Sequence, residues 1–596
     1  MSAARSMSAA LHAEAPRPIA RFSLAELLDW AATAPPAAAT LGYQAWIAGN
    51  PAALERCAAW FNLGVLLAAQ GQLGRAMLAY QNALAAKPDF YQAAVNLGLA
   101  QEAQGQPEAA LATWQQALQP AEARIALLNH RGRLLENHGR LAEAEAELRA
   151  SLLLEPQQPD VLQHWSHLRQ KGCIWPVADT ALVPGLTRET LDHNIGPLGA
   201  LAWTDDVALQ RASVAAWLAR KVAPAPRRLS PERGYAHPRI RLGYLSSDFC
   251  QHAMSFLIVE LLERHDRTAF EVFGYCSSPE DGSALRARVL AALDHHVPVH
   301  RLSEAETAAR IRADEIDILI DLNGLTKGAR AHTLHWKPAP VQVTYLGYIG
   351  PLPLPELDYI LCDNYVIPPE AAPLYAPKPL PLPGLYQAND SHAPDLPEVS
   401  RQQEGLPESG FVFCCFSNHY KLTEPLFDAW LGILHRVPGG VLWLAQDNAT
   451  SHANLTERAA RHCIAPERLV FAPRVAPARY LARMALADLF LDTFPYNAGT
   501  IASDALRMGL PVLTLSGQSF ASRMAGSLVH AVGLAELATT SLADYTEAAV
   551  AIGTDAARHA RLRAALAGDA WQRHIGDSAG FTARVEAAFK AIRLTP

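Results

Sequence analysis

The sequence predicts an α-helical repeat superhelix followed by an α/β region made of two doubly wound units. Two observations support this fold class. Residues 60–156 repeat with a period of 34 residues and keep small side chains at fixed offsets, which is the pattern of stacked antiparallel helix pairs. From residue 239 onward, short apolar strands alternate with helical segments twice over. That alternation predicts two parallel sheets, each covered by helices on both faces.

The repeated segment has the signature of tetratricopeptide repeats. The first helix of each pair carries a glycine, at Gly64, Gly98 and Gly132. We predict that the two helices of a pair cross closely at these glycines, and that Tyr80, Trp114 and Leu148 fill the neighbouring space. One pair cannot bury its apolar face alone, so the pairs stack into a superhelix with a concave groove. Such a groove predicts a polypeptide partner.

Changes of composition divide the chain into five predicted regions. They are a partly disordered N-terminal helical cap at 1–57, the repeats at 58–160, a helical and proline-rich junction at 161–236, a first α/β lobe at 237–405, and a second α/β lobe with a closing C-terminal helix at 406–596. A proline-rich stretch at 351–383 interrupts the first lobe.

Composition limits the class of protein. Of the 596 residues, 50% are hydrophobic and 18% charged, and the net charge of −7 includes no long basic run, which argues against a nucleic-acid partner. The N-terminus lacks the apolar core of a secretory signal, and no apolar run is long enough to span a bilayer. The eight cysteines form no CxxC pair. Reduced thiols and the absence of a membrane segment predict a cytoplasmic protein.

The individual elements follow from apolar periodicity. In the first lobe we predict strands at 240–245, 270–275, 316–321, 341–346 and 359–362, and helices at 256–264 and 304–313, the latter capped by Ser303. In the second lobe we predict strands at 411–416, 441–444, 469–471, 489–491 and 511–515, and helices at 424–435, 455–462, 480–487 and 500–508. Doubly wound sheets bind ligands beyond the carboxyl ends of their strands. The loops after the strands are therefore where a site is expected, although no GxGxxG motif follows any of them.

The most informative of these loops joins the strand at 489–491 to a helix that begins near Thr500. The amides of a helix start and the positive end of its dipole suit a phosphate or diphosphate. Asp504, one turn further along, could accept hydrogen bonds from ribose hydroxyls. The alternative is an ordinary strand–turn–helix with Thr500 as its N-cap, and the residues alone leave both interpretations open.

Two further residues follow predicted strands. Lys421 comes directly after the strand at 411–416, where its ammonium could neutralise the charge of a departing phosphate; the alternative is a solvated loop lysine. His252 follows the strand at 240–245 on the side where a cleft would form, but a lone loop histidine is a weak signal of catalysis. A polar, glycine-containing loop at 323–328 lies on the same side.

Several motifs, in order along the chain, resemble the protein O-GlcNAc transferase family in its bacterial, SPINDLY-like branch. They are IRLGYLSSDFCQHAMSF, DLNGLTKGAR, KPAPVQVTYLGYIG, CFSNHYKL, LWLA and FASR. The resemblance covers residue 60 to the C-terminus. It implies a GT-B glycosyltransferase with two Rossmann-like lobes, a nucleotide-sugar donor in the C-terminal lobe, inverting transfer and no required metal.

The same resemblance implies roles for particular residues. Lys421 matches the family's essential lysine, which contacts the donor diphosphate. Thr500 and the amides of Ile501 and Ala502 match the diphosphate-binding helix start, and Asp504 matches the ribose-binding aspartate. His252 matches an active-site histidine whose role is better regarded as positional than as that of a base.

The chain departs from the family at positions that bear on specificity. Asn418 stands where well-known members carry glutamine, and Tyr480 where they carry a histidine packed on the uracil. Gly499 and Phe256 replace two further histidines. In the repeat groove, the family's asparagine ladder is kept at Asn62 and Asn96 and replaced by His130 in the last repeat.

The sequence thus predicts an enzyme that moves GlcNAc from UDP-GlcNAc to Ser or Thr of proteins held along the repeat groove, without metal or other cofactor. Two rivals share the fold: an O-fucosyltransferase using GDP-fucose, and an N-glucosyltransferase using UDP-glucose on Asn. A third is a non-catalytic repeat scaffold, against which the intact Lys421 and Asp504 argue. Whether the repeats also form a homodimer stays open.

Overall fold

The computed structural model describes residues 18–117, 124–225, 227–392 and 394–594. The chain divides into two compact units, Met1–Val161 and Leu162–Pro596. The cap predicted at 1–57 includes residues 1–17, which lie outside the described residues, so its partial disorder stays a prediction. Within the described ranges, no helix is both long and apolar enough to cross a membrane.

The first unit consists of antiparallel helix pairs. Its helices are α1 Leu24–Thr33, α2 Pro36–Gly49, α3 Arg56–Ala69, α4 Leu73–Ala86, α5 Tyr91–Ala103, α6 Pro107–Gln116, α7 Arg124–Asn137 and α8 Leu141–Leu154. α1 and α2 form the predicted cap pair, and a capping box at Ser23 and Glu26 starts α1. Pro35 lies between the two helices of the cap as the N-cap of α2, and Pro36 is the first residue of α2.

Close helix crossings explain the recurring glycines. A Cβ at Gly64 would overlap the Tyr80 ring, and a Cβ at Gly98 would overlap the Trp114 indole. Gly132 meets Leu148 in the same way. The large side chain of each second helix therefore packs onto the glycine of the first helix of its own pair. Three further glycines take positive φ between the helices of a pair, at Gly71, Gly105 and Gly139.

The second unit begins with junction helices and continues into two sheets. Its helices are α9 Pro159–Lys171, which starts at the boundary, α10 Arg188–Asn194, α11 Pro197–Trp203, α12 Val207–Lys221, α13 Ala253–Arg264, α14 Ala284–Ala291, α15 Glu304–Ala313, α16 Ala331–His335, α17 Glu424–Arg436, α18 Ala449–Arg461, α19 Pro477–Met484, α20 Thr500–Arg507, α21 Met524–Ala531, α22 Leu542–Thr554, α23 Ala556–Ala565, α24 Ala570–His574 and α25 Ser578–Ile592. Its strands are β1 Ile240–Ser246, β2 Phe270–Cys276, β3 His295–Pro298, β4 Ile318–Asp321, β5 Val341–Thr344, β6 Tyr359–Asp363, β7 Lys378–Leu382, β8 Val412–Cys415, β9 Val441–Ala445, β10 Leu469–Ala472, β11 Leu489–Leu491, β12 Val512–Leu515 and β13 Ala538–Thr539.

The first lobe has a parallel seven-stranded sheet in the order β3-β2-β1-β4-β5-β6-β7. The sequence did not predict β3 or β7, which are its two edges. β7 reads KPLPL, and Pro379 and Pro381 can occupy an edge strand because an edge leaves part of the ladder unpaired. The order reverses between β1 and β4, so the loops after these two strands flank the crevice where doubly wound sheets bind ligands.

The second lobe has a parallel six-stranded sheet in the order β10-β9-β8-β11-β12-β13. Here the order reverses between β8 and β11. β8 leads to Lys421, and β11 leads through residues 492–499 to α20. The two loops that carried the strongest sequence patterns therefore leave neighbouring strands at the reversal point of one sheet.

The two lobes are packed against each other. α25 at the end of the chain crosses back onto α13 of the first lobe, where Glu586 accepts a hydrogen bond of 3.1 Å from the buried imidazole of His265. Tyr496, from the turn after β11, is a member of the first lobe's hydrophobic core rather than of the second lobe's. The turn after β11 is therefore held from both sides of the crevice.

Candidate active site

Lys421 lies at the carboxyl end of β8, in the short 3-10 turn His419–Lys421. Its Nζ donates a hydrogen bond of 3.0 Å to the main-chain oxygen of Asn497 and lies 3.6 Å from the centroid of the Tyr496 ring. Burial lowers the pKa of the Lys421 ammonium, and the negative charge of Asp492 opposes that shift. The predicted alternative of a solvated loop lysine does not fit this half-buried, doubly contacted side chain.

Asp492 is a fully buried carboxylate near Lys421 that the sequence did not single out. It accepts hydrogen bonds from the amides of Thr493 and Ala498, both 2.8 Å, and from the Thr514 hydroxyl at 2.7 Å. Burial raises its pKa, and these bonds together with Lys421 oppose the rise. An acidic residue directly after the apolar strand β11 is the signal that could have identified it.

α20 begins without a side-chain cap. Gly499 occupies the N-cap position, and Thr500 is the first helical residue. The prediction that Thr500 could be an ordinary N-cap is therefore wrong. The first amide of this segment to bond within the helix is that of Ser503, which donates 3.0 Å to the Gly499 oxygen. The amides of Thr500, Ile501 and Ala502 form the open helix start, where backbone N–H groups and the helix dipole favour an anion.

Asp504 and Tyr480 lie together one turn beyond that helix start. Burial raises the pKa of the Asp504 carboxyl to about 7, opposed by the charge of Arg507. Burial also raises the pKa of the Tyr480 hydroxyl, and the nearby charge of Asp504 adds to this rise. The structure thus places an aromatic ring of α19 near a carboxylate that lies one turn beyond the open start of α20.

Asn418 lies two residues past Phe416, and its side chain is exposed. Its main-chain oxygen accepts a hydrogen bond of 3.0 Å from the Lys421 amide, which closes the turn. The neighbouring His419, which the sequence did not single out, is buried and bonds Ser451 through Nδ1 at 2.6 Å. The turn that presents Lys421 is therefore fixed by hydrogen bonds on both sides.

His252 occupies the N-cap of α13, where its Nδ1 accepts a hydrogen bond of 3.2 Å from the Met254 amide. An accepting Nδ1 carries no proton, so the neutral ring carries its proton on Nε2 and presents a donor. The carboxylate of Asp248 lies 3.7 Å from Nδ1. The described contacts of His252 join it to this first-lobe loop and not to the group around Lys421.

A buried polar cluster surrounds Asp248 at the reversal point of the first sheet. Asn323 donates 2.9 Å to Asp248 and accepts 2.8 Å from the Ser247 amide. Asp321, fully enclosed, accepts from the amides of Asn323 and Gly324, and its burial raises the pKa of the carboxyl to about 6. These bonds fix the loop predicted at 323–328 beside the crevice.

The asparagine positions of the repeats lie in the first unit and already have partners there. Asn62 donates 2.8 Å to the Ala58 oxygen of its own helix. The side chains of Asn96 and Tyr80 are hydrogen-bonded, and His130 stacks on Trp114 with ring centroids 5.4 Å apart. Two of the three ladder positions are thus tied to a large side chain that packs on a crossing glycine.

A separate cavity of about 570 Å³ borders the Lys421 turn through Tyr420 and Leu422. Trp175, Trp203, Leu422 and Phe494 are among its lining residues. Thr500, Asp504 and Tyr480 do not line it. The open helix start, rather than this apolar cavity, carries the groups that suit a charged ligand.

The fold and the site together define a class of protein. The two doubly wound lobes form a GT-B architecture, and the first unit is a helical repeat array. The chain belongs to glycosyl transferase family 41, whose model matches residues 220–393 and 387–585. A tetratricopeptide repeat model matches residues 58–90. The fold class and the family resemblance predicted from the sequence are confirmed.

Relatives of the chain carry names that describe sugar transfer to peptides. The chain is 35% identical over 334 residues to the probable UDP-N-acetylglucosamine–peptide N-acetylglucosaminyltransferase SEC of Arabidopsis thaliana, covering 55% of this chain and 34% of that protein. It is 27% identical over 439 residues to the UDP-N-acetylglucosamine–peptide N-acetylglucosaminyltransferase of Caenorhabditis elegans, covering 55% and 38%. The chain therefore spans little more than a third of the length of these curated relatives.

A solved structure extends the similarity over most of the chain. A variant of the Thermobaculum terrenum O-GlcNAc transferase matches with a TM-score of 0.65 and 27% sequence identity, covering 90% of this chain and 96% of that one. The likeness includes both the repeats and the α/β lobes in their chain order.

Proposed function

We propose that this chain is a protein O-glycosyltransferase that moves GlcNAc from UDP-GlcNAc to Ser or Thr hydroxyls of proteins. One observation carries the proposal: a lysine and an open helix start meet at the reversal point of the second sheet, with a carboxylate one turn further along. A cation and unpaired amides suit a diphosphate, and the carboxylate suits ribose hydroxyls. The names of the relatives support the identity of the sugar and of the peptide acceptor.

The residues suggest how the reaction proceeds. The acceptor hydroxyl attacks the anomeric carbon of the sugar, the bond from that carbon to the diphosphate oxygen breaks, and UDP leaves from the opposite face. This displacement inverts the configuration at that carbon. Negative charge grows on the leaving diphosphate, where Lys421 and the amides of Thr500, Ile501 and Ala502 stabilise it. The proton of the hydroxyl passes to a base that we do not assign to a residue.

His252 takes a positional role in this scheme. Its Nδ1 is occupied by the Met254 amide, so the neutral ring carries its proton on Nε2 and offers a donor there. A donor at that place can hold an oxygen of the sugar or of the acceptor, whereas it cannot remove a proton in this tautomer. The residue then orients a reacting group without entering the proton transfer.

We also propose that no metal ion takes part. Lys421 and a helix terminus supply the positive charge that a divalent cation would supply to a diphosphate. Among the described residues, Glu260, Asp390 and His392 are spaced as metal ligands would be. Glu260 is already bonded by Ser391 and Ser578, and Asp390 pairs with Arg288, so this group is better explained as a link between the lobes.

Competition between nucleotides tests the donor. Tyr480 offers a ring face for a base, but a ring face alone does not distinguish uracil from guanine, so base-edge contacts near residues 472–477 must do so. We expect UDP to bind more tightly than GDP, measured by calorimetry and by displacement of UDP-GlcNAc. Tighter binding of GDP would favour a fucosyltransferase, and transfer from UDP-glucose to Asn would favour the N-glucosyltransferase. If the protein bound neither nucleotide, the non-catalytic repeat scaffold would be the remaining interpretation.

A further inference from the structure

The Lys421 ammonium is held by a ring face as well as by a carbonyl. Its Nζ lies 3.6 Å from the centroid of the Tyr496 ring, well inside the distance of about 6 Å within which a ring face attracts a cation. Nζ also donates a hydrogen bond to the main-chain oxygen of Asn497, the residue that follows Tyr496. Both contacts therefore depend on how the turn after β11 is folded.

Tyr496 is itself fixed from the first lobe. It is a member of that lobe's core, and its hydroxyl lies near those of Tyr348 and Tyr386. Its hydroxyl is also hydrogen-bonded to Tyr420, whose ring meets it edge-on with centroids 6.0 Å apart. The ring that contacts Lys421 is thus set by residues on both sides of the crevice.

The other groups near Lys421 do not hold it in the same way. Asp492 acts on Nζ through its charge. Among the described residues, however, no ion pair within 4 Å joins Lys421 to Asp492. The carboxylate oxygens of Asp492 are bonded instead by Thr493, Ala498 and Thr514. The Tyr496 ring is therefore the side chain that the described contacts place against the ammonium.

We propose that Tyr496 is a positioning residue: its ring, fixed by the first lobe, places the Lys421 ammonium where the diphosphate of the donor leaves. The inference rests on the proposed role of Lys421 in transfer. It adds that the position of that lysine depends on the packing of one lobe on the other through a single aromatic side chain.

Removal of the ring has two expected effects. The ring face attracts only the charged form of Lys421, so its removal lowers the pKa of the ammonium. The alkaline limb of the kcat profile then moves down by about one pH unit. A displaced ammonium stabilises less of the charge that develops as the diphosphate leaves, so kcat falls about tenfold while KM for the donor changes little.

The experiment compares four variants of the full chain by kcat, KM for UDP-GlcNAc and the pH profile. Tyr496→Phe keeps the ring face, and we expect most of the turnover to remain. Tyr496→Leu removes the ring, and Tyr496→Met removes it with an unbranched, flexible side chain of similar volume that can adapt to the space, which guards against misfolding of the first. Tyr275→Leu is the matched control, since Tyr275 is a core tyrosine of the same lobe whose hydroxyl bonds Asp314. It loses stability but keeps the wild-type alkaline limb.

The outcomes separate the inference from the proposed function. If Tyr496→Met and Tyr496→Leu keep the wild-type kcat and alkaline limb, Tyr496 does not position Lys421. If they lose turnover and Tyr496→Phe loses it equally without a shift of the limb, the hydroxyl rather than the ring matters and the inference is overturned. If Lys421→Ala retains turnover, the proposed role of the lysine fails, whatever the Tyr496 variants do.

Discussion

The hydroxyl of Ser503 in α20 donates a hydrogen bond of 2.7 Å to Oδ1 of Asn389, which belongs to the segment between the lobes. The indole of Trp571 donates 3.3 Å to the same hydroxyl. Arg507 at the other end of α20 bonds the main-chain oxygens of residues 390–392. The helix whose open start we propose as the donor site is therefore already held in place without a ligand, so binding should cost less conformational freedom.

We expect Lys421→Ala to abolish sugar transfer without unfolding the protein. The ammonium stabilises charge on the leaving diphosphate, so its removal costs about 3 kcal/mol or more in kcat. Turnover with UDP-GlcNAc measures the effect, and circular dichroism with thermal unfolding confirms the fold. A folded variant with near-normal kcat would contradict the assignment.

We expect donor affinity to depend on pH through Asp504. Burial raises the pKa of its carboxyl to about 7 without a ligand, and only the ionised form accepts two ribose hydrogen bonds. Between pH 6 and 7.5 the affinity for UDP-GlcNAc should therefore rise about five- to tenfold. The diphosphate of a nucleotide sugar does not titrate in this range, so calorimetry at the two pH values isolates the protein.

Asp504→Asn supplies the control for that pH dependence. The asparagine does not titrate, so affinity should be lower and flat over the same range, with KM raised more than kcat is lowered. Stability should change in the opposite sense. Because the pKa of Asp504 is higher in the folded than in the unfolded state, its protonation favours the folded protein at low pH. This contribution to the free energy of unfolding is complete below the unfolded pKa and is lost as pH rises toward 7. Wild type should therefore lose stability relative to Asp504→Asn between pH 4 and 7; parallel curves would contradict the shift.

Much of this fold is visible in the sequence because local pattern and final position agree. β11 matches its predicted bounds, and β1, β8 and β12 match theirs within about two residues. The sequence did not predict β7 because Pro379 and Pro381 are typical of loops. A strand can contain both prolines here only because β7 is an edge of the sheet, where a missing N–H leaves no neighbouring strand unpaired. That place is a property of the assembled sheet rather than of the segment.

The candidate site was partly visible for the same reason. Lys421 and Thr500 each follow a strand, which the sequence shows. The contact of Lys421 with Tyr496 and Asn497 joins loops 76 residues apart in the chain, and it exists only because β8 and β11 are neighbours. Asp492 was missed because a buried carboxylate in an apolar strand end looks the same in sequence as a loop aspartate.

We expect His252→Asn to retain much more turnover than an enzyme that has lost its general base. Asparagine can accept the Met254 amide bond and cap α13, so kcat should remain within about tenfold of wild type, whereas loss of a general base costs about 10²–10⁴-fold. His252→Ala should also lose about 1 kcal/mol of stability through the missing cap. Equal and complete inactivation of both folded variants would show that the imidazole itself transfers a proton.

We expect two glycine-to-alanine changes in the repeats to shift stability in opposite directions. Gly98→Ala places a Cβ against the Trp114 indole and should destabilise by about 1–3 kcal/mol. Gly74→Ala, in α4, meets nothing within 4 Å and should stabilise by up to about 1 kcal/mol through helix propensity. Urea unfolding of the two variants measures the difference. A Gly98→Ala variant as stable as Gly74→Ala would mean that the indole moves aside without cost.

The repeats are expected to select protein acceptors without contributing to the chemistry. Asn62 and Asn96 recur at equivalent helix positions, and each retains hydrogen-bonding groups beyond the single bond that the structure gives it. Replacing both by alanine should raise KM for a protein acceptor while leaving UDP-GlcNAc binding and its slow hydrolysis unchanged. Tyr80→Phe is the control, because it removes the bond to Asn96 and keeps the groove asparagines. If the double variant and the control glycosylate the same proteins at the wild-type rate, the groove acts as a rigid support rather than as a reader of acceptors.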